Sequence, residues 1–244
     1  MTGPRVEVLG YSVANVPVAT FVEHLIQLSK QERVCNVVTL NPEMIVLCEK
    51  QPDLKQQIQE SLCCADGIGI VWASYILLGK KLHKVPGIDV MMALLQEPSL
   101  SFFLVGSTAS VISTCTQILA TYPARVVGSH SGYFDKDEEK QLISHIVQTK
   151  PDVVFVGLGF PKQQRFIQAL SDSLSRGVTM GVGGAFDVFS GVFPRAPQWM
   201  RSCGMEWIFR AIVDPRRIRR WGCLVHFLGF VVFRRLFGFF FKKK

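Results

Sequence analysis

Short apolar runs alternate with longer amphipathic segments along most of the chain. Runs of strand length precede segments in which apolar residues recur at helical spacing. This alternation predicts a mostly parallel sheet joined by right-handed crossovers. The fold class is therefore α/β, Rossmann-like, with helices on both faces of the sheet. Strands are predicted at residues 5–9, 34–40, 62–65, 101–105, 125–127, 153–156 and 178–182, with most of the segments between them helical.

The stretch 62–69 places a carboxylate where ligands bind in such folds. An apolar run ends at Asp66, Gly67 and Gly69 follow, and a helical pattern begins directly afterwards. In open α/β sheets the carboxyl ends of the strands form the ligand crevice. Glycine also lets the backbone approach a ligand closely. Two interpretations stay open on spacing alone: Asp66 takes part in chemistry, or it caps the helix that follows.

Other predicted strand tips carry polar residues or glycine. Thr39 and Asn41 follow the strand at 34–40, and Pro42 favours a helix start for which Asn41 serves as the cap. Taken alone, Asn41 fits a capping role slightly better than a catalytic one. Glycines at the tips near residues 106, 157 and 183 suit phosphate or ribose binding at helix N-termini.

Several common site patterns are missing from the sequence. In the two glycine-rich stretches, Lys162 and Phe186 stand where a dinucleotide fingerprint needs its third glycine. This weakens a third hypothesis, a nicotinamide oxidoreductase. The 5 histidines show no ligand spacing and the 7 cysteines form no C-x-x-C pair, so no metal and no disulfide framework is expected. Nothing in residues 1–10 resembles a secretory signal, which favours the reducing cytosol.

The net charge of +8 is concentrated at the C-terminus. Residues 195–244 contain 12 Lys or Arg and 2 acids, whereas residues 1–194 contain 15 and 17. We therefore divide the chain into an α/β core, 1–194, and a basic, aromatic-rich appendage, 195–244. Such a tail requires a polyanionic partner.

The tail composition favours a membrane surface over nucleic acid. The uncharged stretch 221–233 is shorter than the roughly 20 residues of a bilayer crossing, and Arg234 and Arg235 follow it. Basic clusters flanking Trp and Phe are typical of a helix lying in the membrane interface. Peripheral, monotopic attachment is the prediction, with a membrane-spanning helix as the alternative.

A series of short motifs resembles the WecG/TagA/CpsF glycosyltransferases. They stand in the same order, cover nearly the whole chain, and are followed by Glu206-Trp207 and an arginine-rich segment. The motifs are Thr39-Leu40-Asn41-Pro42, Ala65-Asp66-Gly67-Ile68-Gly69, Pro86-Gly87-Ile88-Asp89, Gly132-Tyr133-Phe134, Gly157-Leu158-Gly159-Phe160-Pro161-Lys162-Gln163 and Gly181-Val182-Gly183-Gly184-Ala185-Phe186-Asp187.

The resemblance implies an inverting glycosyltransferase that needs no metal or other cofactor. It would transfer an N-acetylmannosamine-type sugar, ManNAc or ManNAcA, from UDP to N-acetylglucosamine on undecaprenyl diphosphate. This reaction belongs to wall teichoic acid, enterobacterial common antigen or capsule assembly at the cytoplasmic face of a bacterial membrane. The implied partners are the UDP-sugar, the polyprenyl-diphosphate acceptor and the anionic membrane surface, without nucleic acid; a homo-oligomer is possible.

The resemblance also implies roles for individual residues. Asp66 matches the general base, Thr39, Asn41 and Gln163 match other catalytic positions, and Asp187 matches a position near the nucleotide. The tail arginines that match are Arg210, Arg217 and Arg220, as a lid that folds over the pocket at the membrane; attraction to anionic lipid is the alternative. The remaining substrate-binding candidates are Lys84, Gly106, Ser107, Gly132, Tyr133, Phe134, Gly157, Gly159 and Pro161.

One departure from the family and one competing hypothesis remain. Lys84 stands where the family usually has arginine, which keeps the charge but loses the bidentate fork. The competing hypothesis is a non-catalytic, nucleotide-binding module attached to the membrane surface. The sugar, the polymer and the oligomeric state stay open.

Overall fold

The computed structural model describes residues 3–215 and 221–237. Within them lies an eight-stranded sheet with the order β1-β2-β4-β3-β8-β7-β5-β6. The β1–β2 pair is antiparallel and every other pair is parallel, which confirms the predicted α/β class. The strands are β1 Arg5–Val8, β2 Tyr11–Ala14, β3 Val34–Leu40, β4 Leu62–Ala65, β5 Ser101–Gly106, β6 Arg125–His130, β7 Val153–Gly157 and β8 Gly177–Gly181.

Helices connect the strands and cover both faces of the sheet, as predicted. Pro42 and Pro52 each start a helix, so the segment between the strands at 34–40 and 62–65 contains two helices. The helices are α1 Val18–Ser29, α2 Pro42–Cys48, α3 Pro52–Glu60, α4 Ile68–Leu78, α5 Gly87–Leu94, α6 Ala109–Leu119, α7 Lys136–Thr149, α8 Lys162–Ser171, α9 Ala185–Phe189, α10 Gln198–Ser202, α11 Glu206–Val213 and α12 Trp221–Phe237.

Two local predictions were wrong. Strand β2 was missed; it forms a hairpin with β1 through Leu9 and Gly10, both of which have positive φ. The strand predicted at 125–127 is longer than expected, because β6 continues to His130. A side chain at Gly128 would meet the ring of Phe103 at 2.3 Å, so glycine allows the two strands to pack there.

Side chains of successive residues in the central strands point to opposite faces of the sheet and pack in two separate hydrophobic cores. In β5, Phe102 and Leu104 pack beneath α1, α5 and α6, whereas Phe103 and Val105 pack beneath α7 and α8. Apolar residues on both faces are the expected composition of a buried parallel strand.

The C-terminal helix α12 packs against α2 and α4. Its buried residues Phe227 and Val231 join the core beside β3 and β4. The rest of its surface is largely exposed and apolar. Among the described residues, no helix combines the length and the hydropathy needed to cross a membrane.

Candidate active site

The carboxyl ends of β3 and β4 bring the first group of predicted residues together. Leu40 pairs with Ala65 in the parallel register, and the Asp66 N–H donates to the Leu40 carbonyl at 2.9 Å. Asn41 and Asp66 therefore follow neighbouring strand ends. From β4 the chain crosses to β5 in the other half of the sheet, and such a change of direction opens a ligand crevice.

Asp66 lies half-buried in this crevice with an unusually high pKa. Burial raises the pKa of its carboxyl from 3.8 to about 6, and the negative charge of Glu206 acts in the same direction. The cations Arg210 and Lys84 and the Gly87 N–H oppose the rise. A carboxyl with a pKa near 6 is largely ionised at neutral pH yet basic enough to accept a proton.

Thr39 supports the loop that carries the Gly87 N–H. The Thr39 side chain is buried, and a Cβ added to Gly87 would lie 2.9 Å from its Cγ2 atom. Glycine at 87 thus allows the loop to approach β3 closely, which places its N–H beside Asp66. The Thr39 hydroxyl is 3.5 Å from the Gly181 carbonyl, the limit of hydrogen-bonding distance.

Asn41 caps helix α2, as one interpretation of the sequence predicted. Its Oδ1 atom accepts from the Met44 N–H at 3.1 Å. The cap fixes the side chain beside the crevice and leaves the amide nitrogen as the atom that a ligand could contact.

Gln163 connects the ends of β7 and β8. Its side chain is buried, and its Oε1 accepts from the Gly183 N–H at 3.2 Å. A Cβ at Gly181 would lie 2.5 Å from the Gln163 Nε2, so the Gln163 amide packs directly against the β8 backbone. Gln163 therefore lies between the Asp66 end of the crevice and its glycine-rich end.

The glycine-rich end is formed by the tips of β5, β7 and β8. A Cβ on Gly106 would lie 2.5 Å from the Gly157 carbonyl oxygen, and one on Gly157 would lie 2.8 Å from the Gly183 oxygen. The backbones are thus in close contact. Ser107, with a φ of 50°, donates from its hydroxyl to the Asp187 carboxylate at 2.6 Å.

The loop after β6 closes this end of the crevice. The Gly132 N–H donates to the Ser107 carbonyl at 2.8 Å, and Lys162 donates to the Gly132 carbonyl at 2.9 Å. The Lys162 ammonium also lies 4.5 Å from the centre of the Phe134 ring. Tyr133 is left 76% exposed at the rim, where its ring can contact a ligand. Gly159 and Pro161 lie in the β7–α8 loop, the former with a φ of 74°.

The segment containing α10 and α11 lies over the Asp66 end. The Lys84 ammonium donates to the Arg201 carbonyl at 3.1 Å and lies 4.0 Å from the Glu206 carboxylate. Arg210 contacts the same carboxylate through Nη2 at 2.5 Å and Nε at 3.1 Å. Lys84 and Arg210, each predicted to bind substrate, are thus brought to the same carboxylate. Arg217 and Arg220 lie outside the described residues.

Among the described side chains, no cluster of three or more His, Cys, Asp or Glu is arranged to hold a metal ion. Among the described residues, cationic side chains lie at both ends of the crevice. Lys84 and Arg210 lie near Asp66, and Lys162 lies at the glycine-rich end. The arrangement can bind a diphosphate between a proton acceptor and the glycine-rich strand tips.

Residues 6–239 match the model of the glycosyl transferase WecG/TagA/CpsF family. The chain belongs to this family. The resemblance in its motifs is thereby confirmed, and membership decides against the non-catalytic module and the oxidoreductase, since WecG/TagA/CpsF proteins are glycosyltransferases.

Similar proteins support the same assignment. Proteins of Staphylococcus aureus strains NCTC 8325 / PS 47, COL and MRSA252 are each 35% identical to this chain over 223 residues, or 88% of this chain and 87% of each relative. Each carries the name N-acetylglucosaminyldiphosphoundecaprenol N-acetyl-beta-D-mannosaminyltransferase.

In this WecG/TagA/CpsF protein, sequence reasoning missed the site role of Glu206. The glutamate was noted only as part of a motif, yet it contacts Lys84 and Arg210 in the structure. Glu206 and Arg210 are four residues apart, the spacing at which side chains meet on a helix, but no individual helix was predicted over these residues. The contact with Lys84, 122 positions earlier in the chain, had no such local pattern.

Proposed function

We propose that this protein transfers an N-acetylmannosamine-type sugar, ManNAc or ManNAcA, from its UDP donor to N-acetylglucosamine on undecaprenyl diphosphate. The transfer inverts the anomeric centre, requires no metal ion, and serves the assembly of a cell-surface polysaccharide. The observation that carries the proposal is Asp66, a carboxyl with a pKa of about 6 at a strand tip beside two cations. The names of the relatives supply the acceptor and the sugar.

Asp66 acts as the general base. As the acceptor hydroxyl attacks the anomeric carbon, its proton passes to the Asp66 carboxylate while the bond to UDP breaks. Attack from the face opposite to UDP converts an α-linked donor into the β-linked product named for the relatives. The Gly87 N–H beside Asp66 favours the ionised carboxylate.

Lys84 and Arg210 stabilise the leaving diphosphate. Charge develops on the diphosphate as the glycosidic bond breaks, and cations already in place stabilise it without reorganisation. In this proposal the nucleoside occupies the glycine-rich end, where the carboxylate of Asp187 accepts from ribose or uracil donors. Ser107 orients that carboxylate through its 2.6 Å hydrogen bond.

Peripheral attachment to the cytoplasmic face of the membrane brings the lipid acceptor to this site. Support comes from α12, whose outward side chains Val225, Leu228, Val232 and Leu236 are exposed and apolar. Before its last turn, α12 is thus largely apolar both on the face packed against the core and on the outward face. A helix that is apolar on every side normally lies in a core or in a membrane. On the neighbouring helix α4, Trp72, Tyr75 and Ile76 are also exposed. Arg234 and Arg235 add charge that anionic lipid attracts.

The test is the release of UDP by purified protein in liposomes, with EDTA present, from a panel of UDP-sugars. Each donor is tested with and without polyprenyl-diphosphate-linked N-acetylglucosamine. We expect release that needs both UDP-N-acetylmannosamine or its uronic acid and the acceptor. Release from a different UDP-sugar would overturn the sugar assignment, and activity that returns only with added Mg²⁺ or Mn²⁺ would overturn metal independence. No release from any pair would refute the proposed function.

A further inference from the structure

Glu206 occupies a central place among the charged groups of the site. Its carboxylate contacts Arg210 at 2.5 Å, four residues later on α11, and lies 4.0 Å from Lys84, which precedes α5. Its side chain is only 15% exposed. One carboxylate therefore joins a cation of the core to a cation of the covering segment.

We propose that Glu206 is a positioning residue, which holds Lys84 and Arg210 in place at the Asp66 site. The inference rests on the proposed function, because it assigns these two cations to the diphosphate of the donor. A flexible lysine and arginine lose several rotamers when they bind an anion. A carboxylate that already fixes them lowers this cost, so the donor meets cations in place.

Glu206 also acts on Asp66 through its charge. Among the described residues, the charged groups that act on the pKa of Asp66 are Arg210, Glu206 and Lys84; the two cations lower the pKa and Glu206 raises it. Glu206 thus offsets the cations that the diphosphate requires, which by themselves would make Asp66 a weaker base. The same carboxylate keeps the cations close to Asp66 and keeps Asp66 basic.

The test compares Glu206→Gln, which keeps the length and removes the charge, with Glu206→Asp, which keeps the charge and shortens the side chain. For Glu206→Gln we expect donor KM to rise roughly tenfold, with a smaller fall in kcat. Without the Glu206 charge the pKa of Asp66 falls. In the plot of kcat/KM against pH, the acidic limb therefore moves to lower pH by about 0.5–1 unit, the effect of one partly screened charge. Glu206→Asp keeps the acidic limb at the wild-type pH while its KM rises.

Glu23→Gln is the matched control, because it removes a negative charge from an exposed position on α1, on the opposite face from α12. It should leave both KM and the profile unchanged. A Glu206→Gln variant that keeps the wild-type donor KM overturns the positioning role, and one that keeps the wild-type acidic limb overturns the action of Glu206 on Asp66; misfolding lowers turnover without moving that limb.

A second measurement separates this inference from the proposed function. The 13C carboxyl resonance of Asp66, assigned from its absence in Asp66→Asn, is titrated in wild type and in Glu206→Gln. The Glu206→Gln titration should lie at lower pH even if no sugar is transferred. Coincident titrations would refute the action of Glu206 on the pKa of Asp66, whereas failure of UDP release in wild type refutes only the proposed reaction.

Discussion

Replacing Asp66 with asparagine should abolish turnover and at the same time stabilise the protein. Asparagine has nearly the same shape and its side-chain oxygen can still accept from the Gly87 N–H. It cannot take a proton from the acceptor hydroxyl. Loss of a general base typically lowers the rate by about 10²–10⁴-fold. We expect UDP binding to persist, because the cations Lys84 and Arg210 remain.

The gain in stability follows from the pKa of Asp66. The pKa is about 6 in the folded chain, against an ordinary value of 3.8. At about 1.4 kcal/mol per pKa unit, ionised Asp66 destabilises the fold by about 3 kcal/mol. For chains of this size 1 kcal/mol corresponds to roughly 2–4 °C, so the rise in Tm is roughly 6–12 °C as an upper limit.

The pH dependence has a definite sign. Below a pH of about 4 the Asp66 carboxyl is protonated in both the folded and the unfolded chain, so it does not lower the free energy of unfolding. Above a pH of about 6 it is ionised in both, and the free energy of unfolding is lowered by the full amount. The stability of Asp66→Asn should therefore exceed that of wild type by an amount that grows between these two values and is then constant.

Thermal or urea unfolding of both proteins at several pH values measures this difference, and UDP release measures turnover. Wild-type kcat/KM should fall as the pH drops through about 6. Glu23→Gln serves as the control for removal of an exposed carboxyl. The reasoning is refuted if Asp66→Asn is less stable than wild type at pH 8, or if it retains near-normal turnover.

Three further predictions concern the glycine-rich end and the C-terminal helix. Ser107→Ala should weaken UDP binding about tenfold in calorimetry, because Asp187 loses its hydrogen bond; unchanged affinity would remove Asp187 from the nucleotide site. Phe227→Ala should cost about 3–5 kcal/mol in urea unfolding, whereas exposed Phe233→Ala should cost little, and equal costs would show that α12 does not pack on the core. Val225→Asp on the outward face should reduce flotation with anionic liposomes without loss of folding; unchanged flotation would refute attachment through α12.

Much of the fold was predictable from local pattern. The alternation of apolar runs and amphipathic segments predicted the parallel strands, because a strand buried on both faces needs a continuous apolar run. Pro42 marked a helix start because its fixed backbone angle suits the first turn of a helix. Strand β2 was missed because its four residues carry too short a pattern, and its pairing with β1 depends on a turn at Gly10.

The candidate site was predictable where its residues lie at strand tips and follow family motifs. Asp66, Thr39 and Asn41 indeed lie on the adjacent ends of β3 and β4. The burial of Asp66 could not be predicted, because it arises from side chains distant in sequence. The contact of Glu206 with Lys84 depends likewise on how α11 lies over the core.

The sequence by itself determined most of the elements, most of the strand tips and the carboxylate at one of them, because those depend on neighbouring residues. Tertiary structure alone decided the strand order, the closure of α11 over Asp66 and the high pKa of its carboxyl. All three depend on contacts between residues that are distant in the sequence. The pKa depends in addition on which side chains exclude water from Asp66 and which charges lie near it. A pKa is a property of that assembled environment, and the residues next to Asp66 in the chain do not specify it.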